Sequence, residues 1–289
     1  MSDMDVGEHE ATLNGIRIHY AVRGSGPPLI AISGGPGMDA RVWDDFAGID
    51  AFLTVIAMHP RGSGLSEDAP DNAYSLADYA GDVEALRRHL GLSRPVVMGW
   101  SHGGMVAQQF AITHPESLSR LILVDTSAYF GDFVSDVDAA VEAFRDRPWF
   151  ERAHEALKRE WAGDYETDDD MTELWSEEIR FYFKDFNERA EAYRLRTRAL
   201  PVRVTPLKVF NEGEAETMDL RPRLGRVRVP TLVIVGRHDF ITTVPMAEEM
   251  VRHLPISELA VFEDSGHFPM VEEAEKFRRT IKAFVEDGT

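Results

Sequence analysis

A serine at residue 101 stands in the stretch GWSHGG (99–104), with a glycine two residues to either side. A serine hydroxyl becomes an effective nucleophile when a neighbouring base removes its proton. The pattern G-x-S-x-G is weak by itself, because a chain of this length contains one by chance in about one case in ten. Ser101 also follows the apolar stretch PVVMGW and precedes a helical pattern, the strand–turn–helix setting that exposes such a serine. We therefore predict that Ser101 is a nucleophile.

The histidine beside this serine, His102, is not the expected base. Consecutive side chains diverge at a tight strand-to-helix turn, so the imidazole of His102 should point away from the hydroxyl of Ser101. The main-chain N–H of His102 begins the helix and faces the place where an oxyanion would form. We predict that His102 contributes this amide and that the base lies elsewhere in the chain.

A base and an orienting acid are present later in the sequence. Among ten histidines, His267 lies in the glycine-bearing loop DSGHFPMVE (264–272), between the last predicted strand and the last predicted helix. Two aspartates end predicted strands after Ser101: Asp239 in VIVGRHDFIT and Asp125 in LILVDTS. A carboxylate hydrogen-bonded to an imidazole fixes its tautomer and stabilises the imidazolium that forms during proton transfer. Either aspartate could serve this purpose.

Two glycine-rich segments complete the list of candidate elements. SGGPGMD (33–39) follows the apolar stretch PLIAI, and its glycines let the main chain approach a substrate closely because no side chain intervenes. HPRGSGLS (59–66) follows the next predicted strand, and we expect its arginine, Arg61, to brace the loop.

These residues must be positioned by strands that alternate with helices, an arrangement typical of βαβ units and a mostly parallel sheet. The strand candidates are IRIHYAV (16–22), PLIAIS (28–33), LTVIAMH (53–59), PVVMGW (95–100), LILVD (121–125), VPTLVIVG (229–236) and ELAVFE (258–263). Helical patterns cover 75–91, 102–116, 171–183 and 274–287. Between residues 128 and 223 the pattern is helical only. We predict an α/β core in two parts, 1–127 and 224–289, interrupted by a helical cap or lid at 128–223.

The chain resembles the α/β-hydrolase superfamily in its strand–GWSHGG–helix segment, its helical insertion, and the later acid and histidine. The resemblance implies an α/β-hydrolase fold, with a mostly parallel central sheet covered by helices on both faces and an inserted lid. It implies the triad Ser101–His267–Asp239 in the order expected for this fold, with Asp239 preferred to Asp125. It also implies that the main-chain N–H groups of Gly35 and His102 form the oxyanion hole.

Some positions resemble the proline iminopeptidase-like subfamily and others depart from it. GGPG and RGSGLS match its segments, but Ser33 stands where a histidine is usual and His59 where an aspartate is usual. Those enzymes hold a free α-amino group with lid carboxylates, for which Glu173, Glu177 and Glu178 are candidates. The candidate pocket-lining residues are Trp100, His59, Trp175 and Phe181.

The predicted chemistry is acyl transfer through an acyl-enzyme on a small-molecule substrate, with no metal and no other cofactor. We rank a carboxylic ester or lactone of a hydrophobic small molecule first, a macrocyclic lactone being one candidate. An aminopeptidase is the main alternative. Carbon–carbon bond hydrolysis and a ligand-binding protein on a hydrolase scaffold are more distant alternatives, since fold alone does not imply activity.

The composition narrows the partners and the location. The formal net charge of −19, from 50 acids and 31 bases, disfavours binding to nucleic acid or to an anionic membrane. There are no cysteines, so disulfides and thiolate chemistry are excluded. The sequence begins with the acidic stretch MSDMDVGEHE and has no apolar run long enough to cross a bilayer, so a cytoplasmic location is predicted. The oligomeric state cannot be read from the sequence.

Overall fold

The computed structural model describes residues 3–129 and 137–287, and within them eight strands form one sheet. The strands are β1 (Gly7–Leu13), β2 (Ile16–Arg23), β3 (Pro28–Ile32), β4 (Thr54–Met58), β5 (Val96–Trp100), β6 (Arg120–Val124), β7 (Thr231–Gly236) and β8 (Ser257–Phe262). Their spatial order is β1-β2-β4-β3-β5-β6-β7-β8. Pairs β1–β2 and β2–β4 are antiparallel and the remaining pairs are parallel, so the predicted mostly parallel sheet is confirmed.

The first strand was not anticipated from the sequence. β1 pairs with β2 through a tight turn at Asn14 and Gly15, both of which have positive φ. Its sequence, GEHEATL, is mostly polar because the strand is largely exposed at the edge of the sheet. Polar side chains on an edge strand disfavour unwanted pairing with another chain. Because β1 has few apolar residues, a prediction based on apolar runs does not detect it.

Helices cover both faces of the sheet. They are α1 (Leu76–His89), α2 (His102–Thr113), α3 (Val137–Glu142), α4 (Phe150–Trp161), α5 (Asp168–Glu178), α6 (Glu188–Thr197), α7 (Val204–Glu212), α8 (Glu214–Thr217), α9 (Arg221–Leu224), α10 (Val244–His253), α11 (Pro269–Glu272) and α12 (Ala274–Glu286). Consecutive β5 residues point to opposite faces, since Val97 packs in one buried cluster with Phe110 of α2, and Met98 in another with Phe277 of α12. The two-faced core predicted from the resemblance is therefore confirmed.

Seven of these helices, α3 to α9, lie between β6 and β7, which are adjacent parallel strands. We call residues 137–217 the cap segment. The chain leaves and re-enters the sheet side by side, because Tyr129 forms an antiparallel bridge with Asp219, and the N–H of Leu220 donates to the carbonyl oxygen of Ala128 (2.7 Å). The predicted lid at 128–223 contains residues 130–136, which lie outside the described residues, as do 1–2 and 288–289 of the two predicted core parts.

The helix predicted over 171–183 begins earlier and ends earlier. Thr167 caps α5 by accepting from the N–H of Asp170, and the side chain of Asp170 accepts from the N–H of Thr167 in return. Acidic side chains in this first turn are stabilised by the positive end of the helix. The chain then tightens into a 3₁₀ turn at Ile179–Tyr182. None of the described helices has the length and apolar character required to cross a bilayer.

Candidate active site

Ser101 occupies a strained turn between β5 and α2. Its backbone dihedrals, φ 54° and ψ −124°, lie in a region that L residues rarely adopt. Two hydrogen bonds hold the turn against β6: the N–H of Ser101 donates to the carbonyl oxygen of Val124 (2.9 Å), and the hydroxyl of Thr126 donates to the carbonyl oxygen of Ser101 (2.7 Å). The end of β6 therefore helps to maintain the strained conformation of the turn.

Glycines at the positions two residues from Ser101 are required by space. A Cβ on Gly99 would lie 2.1 Å from the carbonyl oxygen of Gly103. A Cβ on Gly103 would lie 2.3 Å from the carbonyl oxygen of Ser33. Both contacts are with main-chain atoms, which cannot move aside as a flexible side chain could, so the turn depends on these two glycines.

His267 and Asp239 lie next to each other at the same edge of the sheet. Nδ1 of His267 is 2.7 Å from Oδ2 of Asp239, and both side chains are buried. The loops that carry them approach so closely that a Cβ on Gly236 would lie 1.9 Å from the carbonyl oxygen of Gly266. Only glycine fits at position 236. His267 and Ser101 line the same cavity. The structure thus brings together the three residues that the sequence singled out.

The environment of Asp239 favours its ionised form. Burial opposes ionisation, but the positive charge on His267 and hydrogen bonds from His267 and Thr242 outweigh it, so the pKa of Asp239 lies below its ordinary value. The Thr242 hydroxyl donates to Oδ2 (2.6 Å), and the N–H groups of Ile241 and Thr242 donate to Oδ1 (2.8 and 3.0 Å). Sequence reasoning did not identify Thr242, because nothing in the local pattern distinguishes it from the neighbouring polar residues.

The alternative acid, Asp125, is also present at this edge. It is fully buried, its Oδ1 accepts the N–H of Gly236 (2.8 Å), and carboxyl oxygens of Asp125 and Asp239 and an imidazole nitrogen of His267 all lie within 4.8 Å of one another. The N–H of Asp125 continues the sheet by donating to the carbonyl oxygen of Ile234 (2.9 Å). The hydrogen bond between Nδ1 of His267 and Oδ2 of Asp239 favours Asp239 as the partner of His267.

The imidazole of His102 is buried away from this cavity. Its ring packs edge-on against Tyr79 and Phe210, with centroid distances of 5.3 and 4.9 Å. Burial lowers the pKa of His102 to about 3, so the ring is neutral. Its main-chain N–H stands at the first turn of α2, where helix N–H groups have no partner within the helix.

The Ser101 cavity has a volume of about 130 Å³. It is lined by Gly35, Pro36, Met38, Trp100, Ser101, Glu160, Met171, Trp175, Glu178, Tyr182, Val202, Leu207, Ile241 and His267. Of the candidate pocket-lining residues, Trp100 and Trp175 contribute to this wall. The indole N–H of Trp100 also donates to the carbonyl oxygen of His267 (3.0 Å), which fixes the histidine loop against β5.

The other two candidate pocket-lining residues, His59 and Phe181, lie elsewhere, and that expectation is corrected. His59 is buried, its Nδ1 accepts the N–H of Leu65 (3.3 Å), and burial lowers its pKa to about 4. Phe181 lines a separate groove of about 700 Å³ beside His238. The sequence alone does not show whether a residue at the end of a strand, such as His59, or an aromatic residue of the lid, such as Phe181, faces the cavity.

The lid carboxylates are also only partly as expected. Glu178 is buried in the Ser101 cavity, whereas Glu173 and Glu177 line a different surface groove. Glu160 of α4, which the sequence reading did not select, joins Glu178 in the cavity wall. Burial raises the pKa of Glu160 to about 7 and raises the pKa of Glu178 well above its ordinary value, the charge of Glu160 adding to the latter shift. Oε2 of Glu178 has no hydrogen-bond partner among the described residues.

The cap segment is attached directly to the histidine loop. The side chain of Glu272 accepts the N–H of Lys184 (2.8 Å) and the N–H of Gly266 (2.7 Å). Burial raises the pKa of Glu272 to about 8. Glu272 lies in the quoted loop 264–272, but its bridging role depends on contact with a distant part of the chain that no local pattern indicates.

The comparisons with known proteins agree with this architecture. A family model described as alpha/beta hydrolase fold matches residues 27–274. The chain is 26% identical to a proline iminopeptidase of Saccharolobus solfataricus, over 98% of this chain and 93% of that protein. It is 28% identical to 3-oxoadipate enol-lactonase 2 of Acinetobacter baylyi, over 95% of each.

A solved structure gives the same picture. The enol-lactonase of Burkholderia xenovorans superposes with a TM-score of 0.73 at 26% identity, covering 96% of this chain and 100% of that one. The family match spans both sides of the cap segment, from β3 to the start of α12. On this evidence the chain belongs to the alpha/beta hydrolase fold family and is a hydrolase.

Proposed function

We propose that the chain hydrolyses a carboxylic ester or lactone of a small molecule through an acyl-enzyme on Ser101. The observation that carries this proposal is the strained Ser101 turn opening into the cavity that His267 also lines, with His267 held by Asp239 at 2.7 Å. A nucleophile, a base and an orienting acid in this arrangement are suited to acyl transfer.

The reaction proceeds in two stages. Oγ of Ser101 attacks the acyl carbon while Nε2 of His267 takes the hydroxyl proton, and Asp239 holds the Nδ1–H side of the ring. The resulting imidazolium gives that proton to the leaving oxygen, and the carbon–oxygen bond to the alcohol breaks. His267 then takes a proton from water, whose oxygen attacks the acyl carbon of the acyl-enzyme. The imidazolium returns this proton to Oγ of Ser101 as the bond between Oγ and the acyl carbon breaks, which releases the acid and regenerates the enzyme.

The oxyanion of each tetrahedral intermediate is assigned to two main-chain donors. Gly35, with φ +48°, lies in the cavity wall after β3, and the N–H of His102 begins α2 directly after Ser101. Fixed N–H groups aimed at a developing negative charge are a large part of catalysis in such sites, with each donor contributing about 100- to 1,000-fold in kcat.

The cavity volume favours a small acyl group. At about 130 Å³ it lies below the range of roughly 300–1,000 Å³ that holds drug-sized ligands. A macrocyclic lactone is therefore disfavoured for this conformation of the cap segment. The relative from Acinetobacter baylyi and the solved structure from Burkholderia xenovorans are both enol-lactonases by name, which supports a lactone or ester as the substrate class.

A second candidate, an aminopeptidase acting on a small N-terminal residue, is favoured by one observation. The partly buried Glu160 and the buried Glu178 line the same cavity as Ser101. A substrate ammonium bound between them would hold both carboxylates ionised, because an opposite charge offsets the cost of burying them. The proline iminopeptidase of Saccharolobus solfataricus is a relative of this type.

One comparison separates the two candidates: kcat/KM for a short-chain p-nitrophenyl ester and for proline p-nitroanilide, with Ser101→Ala as the blank. Ester cleavage without anilide cleavage supports the first proposal. Rapid anilide cleavage supports the second. Turnover of either substrate that persists in Ser101→Ala rejects the assignment of the nucleophile. Absence of both activities rejects both candidate substrate classes.

The carboxylate pair has its own matched control. Glu178→Gln should raise KM for the anilide and leave KM for the neutral ester nearly unchanged, whereas Glu177→Gln, one residue away and outside the cavity, should alter neither. KM for the anilide should also fall as pH rises through about 7, where Glu160 ionises, until the substrate amine loses its own proton.

A further inference from the structure

The proposed triad leaves one buried carboxyl group without a role. Oδ2 of Asp125 has less than 1 Å² of exposed surface and accepts no hydrogen bond from the described residues. Carboxyl oxygens of Asp125 and Asp239 lie within 4.8 Å of each other, beside an imidazole nitrogen of His267. A buried polar atom without a partner costs about 1–3 kcal/mol, so this arrangement calls for an explanation.

If Asp125 and Asp239 were both ionised, their negative charges would repel each other at close range in a buried site. A proton on one of the two carboxyl groups removes this repulsion. Both ionised groups would be acceptors only, whereas a protonated carboxyl has one O–H donor. The groups around Asp125 are Asp239 after β7, His267 after β8, Glu272 of α11 and the N–H of Gly236. Burial and the negative charge of Asp239 raise the pKa of Asp125 well above its ordinary value. The proton therefore belongs on Asp125.

We propose that Asp125 is a positioning residue that shares a proton with Asp239 and replaces it as the acid that orients His267 when Asp239 is lost. This inference rests on the proposed triad. Its geometric basis is that an oxygen of Asp125 already lies within 4.8 Å of an imidazole nitrogen of His267, at the end of the strand that also holds the Ser101 turn.

The exchange balances in charge and protons. In the intact protein Asp239 carries the negative charge and Asp125 carries the proton. When Asp239 is replaced by asparagine, the negative charge that adds to burial in keeping Asp125 protonated is removed, and the positive charge of the imidazolium formed in catalysis favours ionisation of Asp125. Asp125 then releases its proton to solvent and supplies the negative charge that His267 requires.

The test is a set of four proteins assayed with p-nitrophenyl acetate: wild type, Asp125→Asn, Asp239→Asn and the double variant. Asp125→Asn is the conservative variant and should lose less activity than Asp239→Asn, because its amide N–H donates to Asp239 as the protonated acid does. Replacing the acid of a triad by an amide typically costs about 10⁴-fold. We expect Asp239→Asn to lose less than about 100-fold and the double variant to lose about 10⁴-fold.

A spectroscopic measurement keeps the inference independent of activity. The infrared carbonyl band of a protonated carboxyl group should be present at neutral pH in the wild type, and the wild-type minus Asp125→Asn difference should contain it. In Asp239→Asn the same band should be absent because Asp125 is ionised. Far-ultraviolet circular dichroism verifies that each variant is folded.

The outcomes separate this inference from the proposed function. Equal activity of Asp239→Asn and the double variant overturns the replacement by Asp125, and an unchanged infrared spectrum in Asp125→Asn overturns the shared proton. If Ser101→Ala keeps full esterase activity, the proposed triad fails instead, while the infrared result still reports on the protonation of Asp125.

Discussion

The main-chain N–H of His267 donates to the carbonyl oxygen of Tyr182, with an N···O distance of 2.7 Å. The proposed base is therefore attached to the cap segment through its own backbone. Glu272 strengthens this attachment by accepting N–H groups from Lys184 on one side and Gly266 on the other. The position of His267 therefore depends on the position of the cap segment at Tyr182 and Lys184.

Glu272→Gln should change how stability depends on pH. Burial raises the pKa of Glu272 from 4.5 to about 8, so between these values the native state binds a proton that the unfolded state has released. Its contribution to stability is fully present below about pH 4.5 and is lost as pH rises through about 8. The difference in unfolding free energy between wild type and Glu272→Gln should therefore decrease over this interval, as measured by urea denaturation at several pH values.

The control for this measurement is Glu275→Gln, which removes an exposed carboxylate in the neighbouring helix α12. Its stability difference from wild type should show no comparable trend. A difference for Glu272→Gln that is constant from pH 4.5 to pH 8 would contradict the assigned protonation.

Ser101→Gly should stabilise the protein while abolishing hydrolysis. The φ of 54° and ψ of −124° are strained for serine, at a cost of about 1–3 kcal/mol, and glycine adopts positive φ without this cost. After about 0.5–1 kcal/mol is lost to the greater freedom of glycine in the unfolded chain, a net gain of about 1 kcal/mol remains. Thermal unfolding measures it. Ser101→Ala, equally inactive but still strained, should show no gain; a gain equal to that of glycine would reject the explanation.

Substitution of His267 should reduce kcat/KM strongly, whereas substitution of His102 should change it little. His102→Phe should keep kcat/KM close to wild type, because the buried ring has no hydrogen-bond partner at Nε2 among the described residues and packs against Tyr79 and Phe210. His267→Gln should reduce kcat/KM by about 10⁴-fold or more. Ester hydrolysis kinetics would refute the assignment if His102→Phe were the more damaging change.

Arg61→Ala should destabilise the fold strongly and affect the chemistry little. The guanidinium donates twice to the buried carboxylate of Asp82, at 2.7 Å each, and once to the carbonyl oxygen of Ala73. Removing it leaves a buried unpaired charge, which costs about 3–5 kcal/mol. Arg279→Ala, which breaks an exposed pair with Glu275, should cost less than about 1 kcal/mol. Urea denaturation of both variants measures the contrast.

Much of the fold and of the candidate triad could be predicted because their signals are local. Buried strands such as β5 and β7 read as continuous apolar runs, and the glycines around Ser101 reflect a steric requirement of the turn itself. Asp239 and His267 could be selected because parallel strands end at the same edge of a sheet, where the loops that follow them meet.

The remaining features depend on contacts between distant parts of the chain. Glu160 occupies an ordinary amphipathic helix, and only the packing of α4 over the core places it beside Glu178. His59 ends a strand at the expected edge but turns into a buried polar pocket with Asp39, 3.7 Å away. Its sequence position is compatible with either environment, so no spacing rule distinguishes them.

The pairing of Tyr129 with Asp219 has a consequence for how this protein could diversify. Because the chain leaves the sheet and returns to it at neighbouring points, the parts of the cap segment that do not hold the histidine loop can change in length and sequence without displacing β6 or β7. Much of the cavity wall, including Trp175, Glu178 and Leu207, lies in the cap segment, whereas Ser101, Asp239 and His267 lie outside it. Selection can alter the compound that is recognised while the bond-breaking apparatus is inherited unchanged.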